Sequence, residues 1–425
     1  MKLQSTIALA AGKLAHGGLG LLGKNGGALP GLIAEKISPR ILADTLGSLP
    51  DGVVVVTGTN GKTTTTKIIT DILRGSGKQV LTNKMGSNFT RGIVSEVVRA
   101  SSLGKKLPHD IAVIELDEAY AKKFVQIVQP SYVVALNVMR DQLDRFGEID
   151  TTADLIAATM EQATRGVIVN ANDMRLCKAA SKLDVSIHYY GVAKNLLSHF
   201  PADDDLLAVD KDATMHTEAA KKISVELTDF KGQHVTYTFD GKQKANAVLT
   251  LPGQYNFQNG AAALALVRQF LPSSEPAYLV EQLSSVKPAF GRGEIISYGG
   301  TDIEIILIKN PSGFRLALAS FESPADTLIA INDNDPDGRD VSWLWDVSFE
   351  SLVGSRVQTA GSRSHDMALR LQYDNVAVGT STPNLTAALK QFLSLPPGNT
   401  KRIFCNYTAM LAVRKYFGEE LRGVS

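Results

Sequence analysis

The run Thr57-Gly58-Thr59-Asn60-Gly61-Lys62-Thr63-Thr64 carries the strongest chemical signal in the chain. It lies between an apolar run and a helical pattern. Backbone N–H groups of such a turn, together with the start of a helix, form a nest for phosphate oxygens. Gly58, Thr59, Asn60, Gly61 and Thr64 would make the cradle. Lys62 would reach the β- and γ-phosphates of a nucleotide, and the Thr63 hydroxyl would bind Mg²⁺. One position departs from the strict phosphate-loop pattern: Val56 stands where the first glycine is expected. A glycine-rich turn with a chance Lys-Thr is the plainer alternative, and the flanking strand and helix argue against it.

A second group, Glu115-Leu116-Asp117-Glu118, follows the apolar run Ile111 to Ile114. Ligands of open α/β sheets gather at the carboxyl ends of strands. Glu115 there could hold the other side of a hard cation that seeks oxygen. A solvated acidic turn is the alternative, the better one for Asp117, and Glu118 stays open between the two. Asn137 to Gly147 also follows a strand pattern and offers amides and carboxylates to the same edge, although such polar runs often only start helices. Gly253 to Asn259 leads into a helical pattern that begins at Asn259. Asn256 could pair with adenine through its donor and its acceptor, and Asn259 reads as the helix N-cap.

The fifth segment, Asn332 to Asp340 followed by Val341-Ser342-Trp343-Leu344-Trp345-Asp346, holds both tryptophans of the chain. Pro336 and the missing glutamate at the twelfth place exclude an EF-hand. A polar surface loop anchored by buried tryptophan is the structural alternative. The seven histidines show no zinc-ligand spacing.

The elements that must position these residues follow from hydropathy. Val53 to Val56 is a continuous apolar run, as expected of a strand buried on both faces. Ile68, Ile69, Ile72 and Leu73 form one stripe of the helix that follows. Strand signals recur at Ile111 to Ile114, Tyr132 to Leu136 and Gly166 to Val169, with helical patterns between, which predicts a mostly parallel sheet. From about residue 185 to 250 the pattern becomes short and alternating, with Asp240-Gly241 as a hairpin turn, and predicts antiparallel strands. Gly291-Arg292-Gly293 reads as a hinge. Beyond it a second βα series starts, with strands at Ile303 to Ile308, Thr327 to Ile331, Arg356 to Thr359 and Arg402 to Phe404.

The chain has 425 residues, enough for two or three domains. A net charge of +1 argues against nucleic-acid binding through a general basic field. The two cysteines, Cys177 and Cys405, exclude a disulfide framework and a cysteine-only zinc site within one chain. They suit a reducing cytoplasm. No segment reaches the roughly 18 apolar residues of a membrane-spanning helix. The N-terminal run around Ile7 to Ala11 reads as an amphipathic helix rather than a signal peptide, and a peripheral membrane contact there is a further option.

Taken together, these segments resemble the Mur ligase family. GTNGKTTT, an acidic strand end, the NVxxDxLDxxG run, GxxNxxN before a helix and GRxE at a hinge (here Gly291 to Glu294) carry the resemblance. Within the family the chain is most similar to the MurT branch. Leu29-Pro30-Gly31, Ile37-Ser38-Pro39, Arg140 to Asp150, Lys309 to Gly313, Asp337 to Asp346, Asp366 to Leu371 and Tyr407 to Leu411 point there. Gln142 stands where amino-acid-adding members carry a metal-binding histidine.

The resemblance implies an α/β fold: a lead segment (1–45), a central ATP-binding domain (46–292) with a parallel sheet and a small antiparallel part, and a Rossmann-like C-terminal domain (293–425). It adds Arg292 to the nucleotide-binding residues. Classical members carry a UDP-binding domain ahead of the first strand, for which the lead is too short. Many MurT proteins carry a four-cysteine zinc ribbon. Residues 178–250 contain no cysteine, so no zinc is expected.

The implied activity is ATP- and Mg²⁺-dependent amidation of the D-Glu α-carboxylate of lipid II, with ammonia from a GatD-like glutamine amidotransferase partner. Rival functions are a ligase that adds a whole amino acid and a non-catalytic nucleotide-binding module. The resemblance further implies that an aspartate of the C-terminal domain completes a Cys-His-Asp triad with the partner. Asp337 precedes Gly338 and reads as a turn former, while Asp346 reads as part of a strand. Asp340, between turn and strand and beside the tryptophans, is the preferred residue.

Overall fold

The structure, a computed structural model, describes residues 3–21, 29–83, 90–102, 107–139, 149–200, 222–288, 292–320, 325–396 and 400–423. The chain opens with helices α1 (Leu3–Leu21), α2 (Leu29–Ile37) and α3 (Ile41–Leu46). The βα series follows: β1 (Gly52–Thr57), α4 (Lys62–Gly75), β2 (Val80–Thr82), α5 (Thr90–Ala100), β3 (Ile111–Glu115), α6 (Glu118–Val125), β4 (Tyr132–Ala135), α7 (Ile149–Met160), β5 (Gly166–Asn170), α8 (Met174–Ala180) and β6 (Ser186–Val192). Then come β7 (Ile223–Lys231), β8 (His234–Phe239), β9 (Gln243–Val248), α9 (Tyr255–Phe270) and α10 (Pro276–Ser284).

These nine strands form one sheet in the order β2-β3-β1-β4-β5-β6-β7-β8-β9. The parallel series extends further than the sequence pattern suggests. β6 is parallel to both β5 and β7, so the antiparallel part is only β7 to β9. β6 is exposed at Ser186 and buried from Tyr189 to Val192, so its polar start marks where it enters the core rather than a change of direction. The Asp240-Gly241 hairpin is as expected, with φ of 49° and 68° at the two turn residues.

Both faces of this sheet are covered, which explains the unbroken apolar run of β1. Val54 and Val56 face α4, α9 and α10, whereas Val53 and Val55 face the side of α1, α3 and α5. The stripe Ile68, Ile69, Ile72 and Leu73 is at most 1% exposed. Burial of each such side chain contributes about 1.5–3 kcal/mol, enough to fix α4 and the loop that feeds it. The lead segment is packed rather than appended: Ala8, Leu9, Ala34 and Ile41 share the core with Val97 and Val98 of α5. Ile7 and Leu14 stay on the outer side of α1. Among the described residues, no helix is long and apolar enough to cross a membrane.

The second sheet comprises β10 (Arg292–Tyr298), β11 (Thr301–Leu307), β12 (Asp326–Ala330), β13 (Val357–Ala360), β14 (Val378–Thr382) and β15 (Lys401–Cys405), in the order β10-β11-β15-β12-β13-β14. β10 is antiparallel to β11, and the other neighbours are parallel. Helices α11 (Pro311–Ser320), α12 (Ser364–Tyr373), α13 (Leu385–Leu393) and α14 (Tyr407–Gly423) cover it. Residues 289–291 of the expected hinge lie outside the described residues, and the register shift of β10 falls between Arg292 and Glu294.

The segment Ser342–Asp346 is a 3₁₀ helix, not the strand expected for Asp346. Its apolar residues are not alternate in effect: Trp343 and Leu344 are neighbours and both are buried. Trp343 serves as an anchor, packed near Phe314, but Trp345 is half exposed, edge-on to Tyr373 with Arg370 over its ring.

Candidate active site

The phosphate-loop residues sit where β1 hands over to α4. Gly61 is the N-cap of α4 at φ 89°, a conformation that favours glycine. A side chain there would also collide with Asn259, since an added Cβ would lie 2.3 Å from its Oδ1. The loop is tied down by Asn137 at the end of β4. The Asn60 N–H donates to Asn137 Oδ1 (2.9 Å), Asn137 Nδ2 donates to the Asn60 carbonyl (3.1 Å) and the Thr59 N–H donates to the Asn137 carbonyl (3.0 Å). Thr59 adds a bond to the Met139 carbonyl at 3.2 Å. With Thr59 and Asn60 so held, the first turn of α4 is left to present its N–H groups, which have no partner within the helix. The helix dipole makes that end attractive to anions.

Three of the predicted residues come together here. The Thr63 hydroxyl donates to Glu115 Oε1 at 2.7 Å, and both residues are buried. Asn83, just past β2, fixes the backbone of Glu115 from both sides, donating to its carbonyl and accepting from its N–H at 2.9 Å each. Thr63 and Glu115 thus offer two hard oxygens on one side of the loop. That donor set fits Mg²⁺, which takes one or two protein ligands and keeps phosphate and water for the rest. Lys62 folds over the loop and donates to the carbonyls of Gly58 (2.5 Å) and Thr59 (3.2 Å) and to Glu118 Oε1 (3.0 Å). Asp117 is the N-cap of α6 and accepts from the Ala119 N–H.

The helix after Gly253 starts earlier than its pattern suggested. α9 begins at Tyr255, directly after the bend that Gly253 makes at φ 90°, so Asn259 lies inside the helix and is not its N-cap. Its side chain faces Gly61 and donates to Asn256 Oδ1 at 3.0 Å. Asn256, 1% exposed, donates to the Pro252 carbonyl at 2.6 Å. Its amide therefore meets the loop through Asn259. Arg292 opens β10 opposite Ile306, and its side chain lies outside the described residues, as does Gln142.

Sequence reading missed two contacts that only tertiary structure creates. Glu118, left open, proves to be the ion partner of Lys62. Asn310, in the turn before α11, donates from Nδ2 to Asn60 Oδ1 at 3.1 Å and accepts from the Gly313 N–H at 2.7 Å. The second sheet thereby touches the phosphate loop of the first. A usable signal existed for both: each residue stands just beyond the carboxyl end of a parallel strand.

Asp340 stands elsewhere, on the long loop beyond β12. Asp337 is not only a turn former. It is buried and accepts from the N–H and the hydroxyl of Thr408, which ties the loop to the start of α14. Gly338 turns the chain at φ 83°. Asp340 Oδ1 accepts from the Ser342 N–H at 2.8 Å, a local turn that fixes its carboxylate. Asp346 is exposed at the end of the 3₁₀ helix.

The thiols belong to neither site. Cys177 packs in the first sheet's core and its pKa is pushed up to about 12, chiefly by burial; Cys405 packs in the second, and burial raises it too. A cysteine must be a thiolate to bind zinc, and these two lie in different cores. We therefore expect elemental analysis of the purified protein to find no stoichiometric zinc, and one tightly held equivalent would contradict this.

Residues 56–267 match the family model of the Mur ligase middle domain, and residues 307–410 match that of the MurT ligase C-terminal domain. The chain is similar to the MurT subunit of the glutamine-hydrolysing lipid II isoglutaminyl synthase of Streptococcus pneumoniae, at 30% identity over 98% of this chain and 97% of that protein. Its fold is similar to a pseudomurein peptide ligase type C from Methanothermus fervidus, with a TM-score of 0.68 and 19% identity over 90% of this chain and 81% of that one. It is also similar to the MurF ligase of Thermotoga maritima in complex with ADP, with a TM-score of 0.69 and 16% identity over 92% of this chain and 85% of that one.

Proposed function

The chain belongs to the MurT family of Mur ligases, and on that premise we propose that it catalyses ATP-dependent amidation of lipid II in peptidoglycan synthesis. The substrate group is the α-carboxylate of D-Glu, and the product is D-isoglutamine. A carboxylate is a poor electrophile. Attack of one of its oxygens on the γ-phosphorus of ATP expels ADP and leaves an acyl phosphate. Ammonia then attacks the carbonyl carbon, phosphate leaves and the nitrogen sheds a proton.

The observation that carries the phosphoryl-transfer step is the convergence of Lys62, Thr63 and Glu115 at the mouth of α4. The α4 N–H groups and Lys62 bind and orient the phosphates. Mg²⁺, held by Thr63 and Glu115, would offset charge on the transferred group. Gly58, Thr59, Asn60, Gly61 and Thr64 shape the cradle. Asn256 supports it through Asn259, and Arg292 is assigned to the nucleotide.

The relatives are named as one subunit of a glutamine-hydrolysing synthase, which supports a separate source of ammonia. Ammonia comes from a GatD-like glutamine amidotransferase that forms a heterodimer with this chain. Asp340 completes that partner's triad. The work is divided between residues 46–292 for nucleotide chemistry and 293–425 for the partner, with 1–45 as a packed lead. The setting is the cytoplasm, where ATP and the lipid-linked substrate meet.

The test is to supply lipid II, ATP and Mg²⁺ with either ammonium or candidate amino acids and weigh the product. Amide formation with ammonium is expected. Addition of a whole residue would replace this reading with that of an amino-acid-adding ligase, and nucleotide binding without turnover would make the chain a binding module.

A further inference from the structure

Glu118 is a buried carboxylate to which the reaction above gives no task. It opens α6, its side chain is 2% exposed, and its Oε1 lies 3.0 Å from Lys62 Nζ, itself only 14% exposed. The ammonium group also donates to the carbonyls of Gly58 and Thr59. A lysine has three N–H donors, and these acceptors compete for them. A phosphate that reaches Lys62 competes with these acceptors, and Glu118 is the one whose place another anion can take. The two loop carbonyls move with the loop itself, whereas Glu118 arrives from a different element, the helix after β3.

We propose that Glu118 is a positioning residue, the resident counter-anion of Lys62, and that nucleotide binding exchanges this carboxylate for a phosphate. The inference rests on the nucleotide reading of the loop given above. In the nucleotide-free chain the pair neutralises a buried cation and holds its amine across the mouth of α4, so that the loop keeps its shape while empty. When a triphosphate enters, its oxygens compete with Glu118 for the same charge. Glu118 therefore weakens ground-state nucleotide binding, and it offers Lys62 a place to return to when ADP leaves.

The isosteric variant Glu118→Gln retains a hydrogen-bond acceptor and discards the charge. Its neutral bond competes less well than the charge-assisted one. Titration of a non-hydrolysable ATP analogue with Mg²⁺ should show Kd falling by roughly threefold to tenfold, the order expected for that loss of competition. The KM for ATP should fall at least as far as kcat does. The melting temperature of the nucleotide-free protein should drop, while its rise on adding the analogue should grow. Glu118→Asp, which keeps the charge but draws it back by one methylene, should move binding the same way by less, and serves if the Gln variant does not fold. Unchanged or weaker binding in both variants would overturn the proposal and make Glu118 a plain support of the loop. Lys62→Ala separates the two levels of the argument. If that variant binds the analogue like the wild type, the nucleotide site itself is misplaced; if it loses binding while Glu118→Gln gains none, only the role of Glu118 fails.

Discussion

Lys62→Ala is expected to remove ATP-dependent turnover, by roughly 10²–10³-fold or more, the loss typical when one preorganised group facing a developing charge is deleted. Thr63→Ala should act similarly, because it takes away the hydroxyl that meets Glu115 at 2.7 Å. The measurement is phosphate release in the presence of lipid II and a nitrogen donor. One complication has a built-in control. Deleting Lys62 leaves Glu118 buried without its partner, and breaking such a pair costs about 3–5 kcal/mol. Inactivity could then reflect unfolding. The double variant Lys62→Ala with Glu118→Gln removes the stranded charge, so it should melt closer to the wild type and still be inactive. Full activity in a folded Lys62 variant would falsify the assignment of this loop as the catalytic phosphate site.

The second large effect concerns Asp340. A histidine that activates a cysteine must be kept in one tautomer, and a carboxylate on its far nitrogen does that. Supplied by this chain, it would leave the partner's glutaminase poorly active until the subunits meet. Asp340→Asn retains an oxygen to accept from the Ser342 N–H, so the local turn persists and only the charge is lost. Glutamine-driven amidation by the complex should fall by roughly 10²-fold or more. The complex should still form, and synthesis should continue with an ammonium salt. Asp346, exposed on the same segment, is the comparison. If Asp340→Asn leaves glutaminase activity of the complex intact and Asp346→Asn abolishes it, the triad residue is Asp346. Asp337 is a poor alternative, since Thr408 already engages both of its oxygens.

The parts of this fold legible in the sequence are those where one local signal decides the structure. β1 and β3 are buried on both faces, so their apolar runs stand out whatever surrounds them. The α4 stripe reports its own packing. β2 is three residues long, and β14 is only half buried along its length, so neither carries a pattern of its own. β6 becomes more buried along its length and has no long apolar run to announce it, and yet it is parallel to β5.

The site divides the same way. A phosphate loop is a local object, and it was visible at Gly58 to Thr64. The contacts that tune it are not local. Glu118 lies 56 positions from Lys62, and Asn310 lies 250 from Asn60. Asparagine before an apolar helix usually caps it, so Asn259 reads as an N-cap, but the bend at Gly253 puts the helix start at Tyr255.

The central claim is that this chain activates a carboxylate of lipid II so that nitrogen from glutamine can replace one of its oxygens. The direct measurement is to incubate the complex of this chain and its amidotransferase partner with ATP, Mg²⁺, lipid II and glutamine labelled with ¹⁵N in the side-chain amide, then fragment the product by mass spectrometry. The account predicts label in a new amide on the α-carboxylate of D-Glu, formed in step with ADP and absent with Lys62→Ala. Unlabelled product, label at another carboxylate, or an added amino-acid residue would contradict it.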